Sequence, residues 1–424
     1  MGTGTGTSAG ASGPETGTAK TGNGPEGSGT GRTGVWLIGA RGSVATTVIA
    51  GCAALVAGLH EPTGMVTESA AFADVPLPPL ESLVFGGHDI TSCPLPKRAE
   101  QLAAGGVLPH GLPRSVQNEL AAADAEIRPG GPGPGDARDD ETLIASFAAD
   151  LRTFRSTHAL DRVVLINVAS TEAAPGAGGV GGVGGVDGGG AVGRPAGERP
   201  GSPAERLPAS SRYALAALRA GCAYVNFTPS TGLHHPLLRD MARCSGLPYA
   251  GRDGKTGQTL LRSVLAPMMA QRALTVRAWS GTNLLGGGDG AALADPAAAA
   301  AKNAGKAAVL RDTLGELPPG DLHIDNVPAL GDWKTAWDHI AVDGFLGSRV
   351  ILQTIWQGCD SALAAPLVLD LARLVAAAHA AGLSGPLPEL GFYFKDPDGG
   401  PAALADQYTA LTTTFATRLR EAHA

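Results

Sequence analysis

Lys302 and Lys306 stand four residues apart in a stretch that is otherwise almost wholly alanine, with the next basic residue at Arg311. On a helix that spacing puts both ammonium groups on one face. Such a pair ordinarily serves a solvated face, but two lysines set into near-pure alanine look less like generic solubility. Ammonium groups that share a pocket depress one another's pKa, which leaves one able to act as a base. Lys255 and Thr256 follow a turn and open a predicted helix, where backbone N–H groups and the helix dipole favour a phosphate. Capping accounts for Thr256 but not for the neighbouring lysine.

A third constellation is built on glycine. Gly34 to Thr47 reads as a strand, a turn carrying Gly39 and Gly42, and a helix. The two glycines let the backbone approach a pyrophosphate seated on the helix N-terminus. A full GxGxxG would have glycine at 41 and 44, where this chain has Arg41 and Val44. Ser82 to Ile90 then puts Asp89 just past a strand and a double glycine. An acid there accepts ribose hydroxyls and repels a 2′-phosphate, which favours NAD over NADP, although a capping Asp after a turn is the structural alternative. Asn167, Ser170 and Thr171 follow another strand, and Asn226, Thr228, Pro229 and Ser230 a further one, on the carboxyl edge where such sheets bind ligands.

The elements that must position these residues alternate as strand and helix: Val35 to Ile38, then Val44 to Leu59; Arg162 to Asn167; Arg212 to Ala220, then Ala223 to Asn226. That order predicts a parallel sheet with right-handed crossovers. From about Leu274 the texture changes, with a period-2 apolar run at Ser348 to Trp356, which predicts a second α+β domain with its own sheet. The apolar run Ala362 to Ala381 is expected to be a long helix packed on that second sheet. The Gly- and Thr-rich residues 1–33 and the Gly-rich stretch Ala173 to Pro203 cannot bury enough apolar surface to order themselves, and read as a disordered tail and a flexible insertion. The expected division is a first domain over 34–273, a second over 274–385, and a return to the first over 386–424.

A net charge of −7 argues against a general polyanion binder, so any phosphate is bound locally and no nucleic-acid partner is expected. No long uninterrupted apolar run and no basic-then-apolar leader is present, which predicts no membrane partner and a cytoplasmic protein. The five cysteines are scattered and never spaced CxxC, and no carboxylate stands at metal spacing from the adjacent His234 and His235, so neither disulfides nor a transition-metal site is expected.

Taken in order, several blocks resemble the myo-inositol-1-phosphate synthase family from about Gly34 to Pro397. Gly86-Gly87-His88-Asp89-Ile90 is similar to its GGWDI block and Lys255-Thr256-Gly257-Gln258-Thr259 to its KSGQT block. Asn283-Leu284-Leu285-Gly286, followed by Asp289-Gly290, resembles its NHLG and NDG stretch; Lys302 and Lys306 fall on its paired lysines. Gly331-Asp332-Trp333-Lys334 resembles its GDSK block, Asp360 to Pro366 its DSLLAxP block, and Phe394-Lys395-Asp396-Pro397 its late lysine. The departures are Arg41 and Ser43 in the nucleotide turn, His88 for Trp, and Thr256 for Ser.

The resemblance implies an α/β fold in which a Rossmann-type parallel-sheet domain is joined to a second α+β catalytic and oligomerisation domain, with NAD as cofactor. It implies redox-neutral cyclisation of a hexose 6-phosphate, glucose 6-phosphate in the family, to a cyclitol phosphate by a homotetramer. It carries catalysis over to Lys302, Lys306, Lys334, Lys395, Asp332 and Asp360, the two acids orienting the lysines or relaying protons. The substrate phosphate falls to Lys255, Thr256, Gly257, Gln258 and Asn283. The cofactor falls to Gly39, Arg41, Gly42, Ser43, Val44, Ala45, Asp89, Asn167, Ser170, Thr171, Thr228, Ser230, Asp253 and Asp289. The alternatives are a paralogue that closes fructose 6-phosphate to a five-membered ring, a plain NAD-dependent dehydrogenase, and a non-catalytic NAD-binding protein. Neither of the last two needs a lysine cluster.

Overall fold

The computed structural model describes residues 1–2, 31–132, 136–172, 206–287, 310–311 and 313–422. The Gly-rich stretch at 173–203, most of the N-terminal segment, and Asp289, Lys302 and Lys306 lie outside the described residues.

Two apolar runs set the centre of the first sheet. Strands β1 (Thr33–Ile38) and β4 (Arg162–Asn167) are buried along almost their whole length, as parallel strands covered on both faces must be. They lie side by side, with β2 (Leu83–Asp89) and β3 (Ile127–Pro129) beyond β1, and β5 (Ala223–Asn226), β6 (Pro248–Gly251) and a late β11 (Gly385–Pro386) beyond β4. All seven run parallel. Gly87 is required where β1 and β2 pair, because a Cβ there would lie 2.1 Å from the Leu37 carbonyl oxygen.

The connections include helices α1 (Ser43–Val56), α2 (Leu95–Ala104), α3 (Leu112–Ser115), α4 (Gln117–Ala125), α5 (Asp140–Thr157), α6 (Ala209–Arg219) and α7 (Pro236–Cys244). Alternation along the strands divides the core. Trp36, Ile38 and Leu165 join Phe147 and Phe154 of α5 on one face, while Val35, Leu37 and Ile166 join Val48 and Ile49 of α1 on the other.

Helix α8 (Gln258–Gln271) leads to a four-stranded sheet of β7 (Thr275–Leu285), β8 (Leu322–Asn326), β9 (Trp333–Asp343) and β10 (Arg349–Cys359), in the order β10-β9-β7-β8. Strand β7 is antiparallel to β9 and parallel to β8. The helix that packs on this sheet is α8, whose Ala266 and Met269 meet Trp279, Ile340 and Val342.

The expected packing of the long apolar helix on this second sheet is therefore corrected. Helix α9 (Asp360–Ala380) joins the core of the first sheet instead, with Leu369, Leu374 and Val375 beside Val35, Leu37 and α1. The physical reason is its composition: fourteen of its 21 residues are buried, and a helix apolar on most sides needs cover on most sides. By length and hydropathy this is the one helix among the described residues able to cross a bilayer, yet 78% of its most apolar window is buried inside the protein. Its two charged residues in the core are both satisfied there. Asp370 accepts hydrogen bonds from the Val66 amide (2.7 Å), the Thr67 hydroxyl (2.6 Å) and the Tyr393 hydroxyl (3.1 Å), and burial lifts its carboxyl to about 6. Arg373 donates to the Pro78 carbonyl at 2.8 Å and to Thr67 Oγ1 at 2.7 Å.

Candidate active site

Two helices begin at the carboxyl edge of the first sheet, and their N-termini face one cleft. The first is α1. Gly39, directly after β1, has φ +82°, and a Cβ on it would come within 2.8 Å of Ala169 Cα, so only glycine fits. Gly42 precedes α1 in extended conformation, and neither a capping side chain nor an acid in the first turn takes up the free N–H groups. Asp89 ends β2 and fixes the turn: its Oδ2 accepts the Arg41 amide and its Oδ1 the Thr91 amide, both at 2.7 Å. Arg41 itself turns to Asp124, Nε to Oδ1 2.9 Å. The cleft above the turn is about 600 Å³, lined by Gly39, Gly42, Ser43, Asp89, Ser170 and Asp332 among others. A bare glycine turn, unspent amides and a volume of this size fit a dinucleotide.

Val44, Val168, Ala169, Lys334 and Asp360 line this cleft and also a smaller cavity of about 110 Å³ that continues it. Lys334, at the start of β9, pairs with Asp360 in the first turn of α9, Nζ to Oδ2 3.0 Å. Lys395 pairs with Asp253 at 2.7 Å, both side chains only 12% exposed. Backbone bonds fasten that second pair, the Asp253 amide reaching the Thr228 carbonyl at 3.1 Å and the Lys395 amide the Asp253 carbonyl at 2.7 Å. The far wall is the N-terminus of α8, where Thr256, Gly257, Gln258 and Thr259 line the cavity. A buried network supports it from below. Gln258 donates to Asp338 at 2.7 Å and accepts from Asn283 at 3.0 Å, while Arg262 and the Trp279 indole also donate to Asp338, at 2.6 and 2.8 Å. Among the described residues no cluster of three His, Cys, Asp or Glu side chains could hold a metal ion.

Comparison with known proteins decides the relationship. Two family models, both described as myo-inositol-1-phosphate synthase, match residues 33–129 and 257–361, the first being an NAD-binding region. The chain is 31% identical over 398 residues to inositol-3-phosphate synthase 1 of Bacteroides thetaiotaomicron, covering 87% of this chain and 90% of that protein. The chain belongs to the myo-inositol-1-phosphate synthase family. The inositol-3-phosphate synthase of Trypanosoma brucei brucei is 29% identical, over 82% of this chain and 73% of its own. In structure, inositol-3-phosphate synthase of Caenorhabditis elegans superposes with a TM-score of 0.76 at 21% identity, over 92% of this chain and 86% of that one. That likeness concerns the fold. As a member of this enzyme family, the protein uses NAD as its cofactor.

Within the family's blocks, the structure brings together Lys334, Lys395, Asp253, Asp360, Thr256, Gly257 and Gln258 around the inner cavity. Thr171 and Thr228 also line it, and Arg41, Ser43 and Ser170 line the outer cleft. Ala45 is fully buried within α1. Asn167 and Ser230 hold the strand ends instead, Asn167 donating to Thr228 Oγ1 at 3.2 Å and the Ser230 amide to the same oxygen at 3.2 Å. Asn283 is wholly buried in the network under α8 and lines neither cavity.

Two further placements depart from the expectation. Lys255 turns away from the cleft and donates from Nζ to Gln407 Oε1 at 2.6 Å. Burial, and then the nearby Lys395 charge, pulls its ammonium down to about 8. Asp332 does not orient a lysine: it accepts from Ser43 Oγ at 2.6 Å, because the β8–β9 turn carries it over α1 rather than down into the inner cavity. The departure at His88 is a matter of packing. Its ring is fully buried against Trp36, Phe147 and Tyr213, where Nδ1 accepts the Trp36 indole N–H at 2.9 Å and Nε2 lies 3.1 Å from Asp150. Desolvation holds that imidazole below its ordinary pKa. A residue that sequence reasoning missed is Arg98 of α2, which reaches Ser43 Oγ at 2.6 Å; no spacing in the sequence marks it.

Proposed function

We propose that this protein closes a hexose 6-phosphate, glucose 6-phosphate first among them, into a cyclitol phosphate without net oxidation. The observation that carries the reading is the placing of two lysine–carboxylate pairs, Lys334–Asp360 and Lys395–Asp253, in one cavity between the glycine turn of α1 and the N-terminus of α8. NAD, when bound, would serve as a temporary hydride acceptor for C5, and a ketone there would make the neighbouring C6 protons acidic. The chain must then do three things: hold the phosphate, stabilise oxygen anions, and move protons. The N-terminus of α8 offers backbone N–H groups to a phosphate with no acid in its first turn. Lys334 and Lys395 offer preorganised cations to the oxygens of C5 and C1 as charge grows on them. Asp360 and Asp253 fix where those ammonium groups sit and share the traffic of protons. A dehydrogenase that merely released its oxidised product would have no use for the second half of this arrangement.

Incubation with glucose 6-phosphate and substoichiometric NAD is expected to give an inositol phosphate by NMR. Turnover only of fructose 6-phosphate, to a five-membered ring, would move the substrate and keep the chemistry.

The protein is further proposed to act as a homotetramer. The outward face of the second sheet carries Trp337, Ile351 and Ile355, the last 74% exposed, which is more apolar surface than a lone edge strand comfortably shows to water. Light scattering at micromolar concentration should report the tetramer; a monomer would refute it.

A further inference from the structure

The turn that leads into β9 reaches across to the glycine turn of α1. Asp332 accepts the Ser43 hydroxyl at 2.6 Å, Ser43 Oγ in turn accepts Arg98 Nη2 at 2.6 Å, and the Arg98 guanidinium lies 3.7 Å from the Asp332 carboxylate. Next in the chain, the Trp333 indole donates to the Gly105 carbonyl at the end of α2, at 2.9 Å, so α2 is tied to this strap at two places. The carboxylate therefore sits over the first residue of α1, a terminus with no acid and no capping side chain of its own. A carboxylate supplied from 289 residues away is thus held, through the Ser43 hydroxyl, beside a helix terminus whose dipole favours an anion.

Arg98 and Arg41 both border this cleft, but they are committed differently. Arg41 pairs with Asp124 and donates to the Thr91 carbonyl, whereas the carboxylate beside Arg98 is Asp332, itself on the cleft wall. A second polar group waits nearby: Ser361, 5% exposed, lines the same cleft, and its hydroxyl has no hydrogen-bond partner among the described residues.

We propose that Arg98 is the cation that binds the dinucleotide pyrophosphate, and that Asp332 is a resident anion which holds Arg98 and Ser43 ready and is displaced when the pyrophosphate arrives. The inference rests on the reading of the Gly39 to Ser43 turn as the pyrophosphate site. On entry, two negative charges replace one at the same donors, so Arg98 and Ser43 keep a partner throughout and Asp332 swings toward water. The exchange makes NAD binding weaker than the bare turn would allow, and it couples occupation of the turn to the position of the strand that carries Lys334.

NAD binding to the purified protein by titration calorimetry tests this, with folding of each variant checked by circular dichroism. Arg98→Met should weaken NAD roughly ten- to hundredfold, the loss typical of a charge-assisted hydrogen bond. Asp332→Asn should tighten NAD by about three- to tenfold, because the competing charge is gone, and that gain should shrink in the Arg98→Met background since the two act on one site. An Arg98→Met affinity within twofold of the parent, or unchanged or weaker binding by Asp332→Asn, overturns the exchange. Gly39→Val separates the two readings. Parent-like NAD binding by that variant removes the turn assignment and the exchange with it. Loss of NAD there, with parent-like binding by the other two, leaves the turn in place and removes the exchange alone.

Discussion

Lys334→Ala and Lys395→Ala are each expected to lower turnover by roughly a hundred- to thousandfold while leaving NAD affinity within a few-fold of the parent. The argument starts from where the two ammonium groups sit. Each is held by a carboxylate at 3.0 Å or less and largely removed from water, so neither needs to reorganise when charge appears on a substrate oxygen. Losing one such donor typically costs about 3–4 kcal/mol of transition-state stabilisation. Because the charge grows only on the way to the enolate or the aldol alkoxide, the loss should fall on kcat more than on KM. The two variants differ in stability. Asp360 is a third exposed and tolerates the loss of Lys334, whereas Asp253 is 12% exposed and would be left as a buried carboxylate, so Lys395→Ala should also melt at a lower temperature. Retention of more than a tenth of parental kcat in a folded variant would remove that lysine from the chemistry.

Gly39→Val should cost NAD binding about a hundredfold or more in a chain that still folds. Two penalties add at this position. A non-glycine residue at φ +82° is strained by about 1–2 kcal/mol, and the new Cβ would sit 2.8 Å from Ala169 Cα, so the turn must move. Moving it takes the Arg41 amide away from Asp89 and reorients the first N–H groups of α1 that a pyrophosphate would use. Calorimetric titration with NAD checks the result, and parent-like affinity would mean that the dinucleotide sits elsewhere.

Much of this architecture could be read from residue pattern because it is local. Apolar runs such as Arg162 to Asn167 and Ala223 to Asn226 became strands with the expected bounds, and the turn at Gly39 follows from glycine's freedom at positive φ. What escaped was direction and partner over long separations. Spacing places Lys255 before a helix, but not which way its side chain leaves the backbone, and it turned to Gln407, 152 residues on. The resemblance groups Asp332 with the lysines, but Asp332 lies in the turn before β9, where strand alternation does not govern it; that turn carries it to Ser43, while Lys334 on the strand reaches Asp360. The length and apolarity of α9 were legible, but a helix buried on most sides carries no stripe to say which sheet it covers. Arg98 was invisible for the same reason as Asp332, since its partner Ser43 lies 55 residues earlier in the chain.

The central claim is that oxidation and reduction cancel within one turnover, and it is tested most directly by following one reaction in two ways at once. Protein loaded with NAD at a small fraction of the substrate concentration is given glucose 6-phosphate, the product is assigned by NMR, and absorbance of reduced nicotinamide is recorded throughout. The expected result is a cyclitol phosphate formed in many-fold excess over NAD, with no accumulation of NADH. NADH rising in step with an acyclic keto sugar phosphate, with no ring closed, would contradict the account.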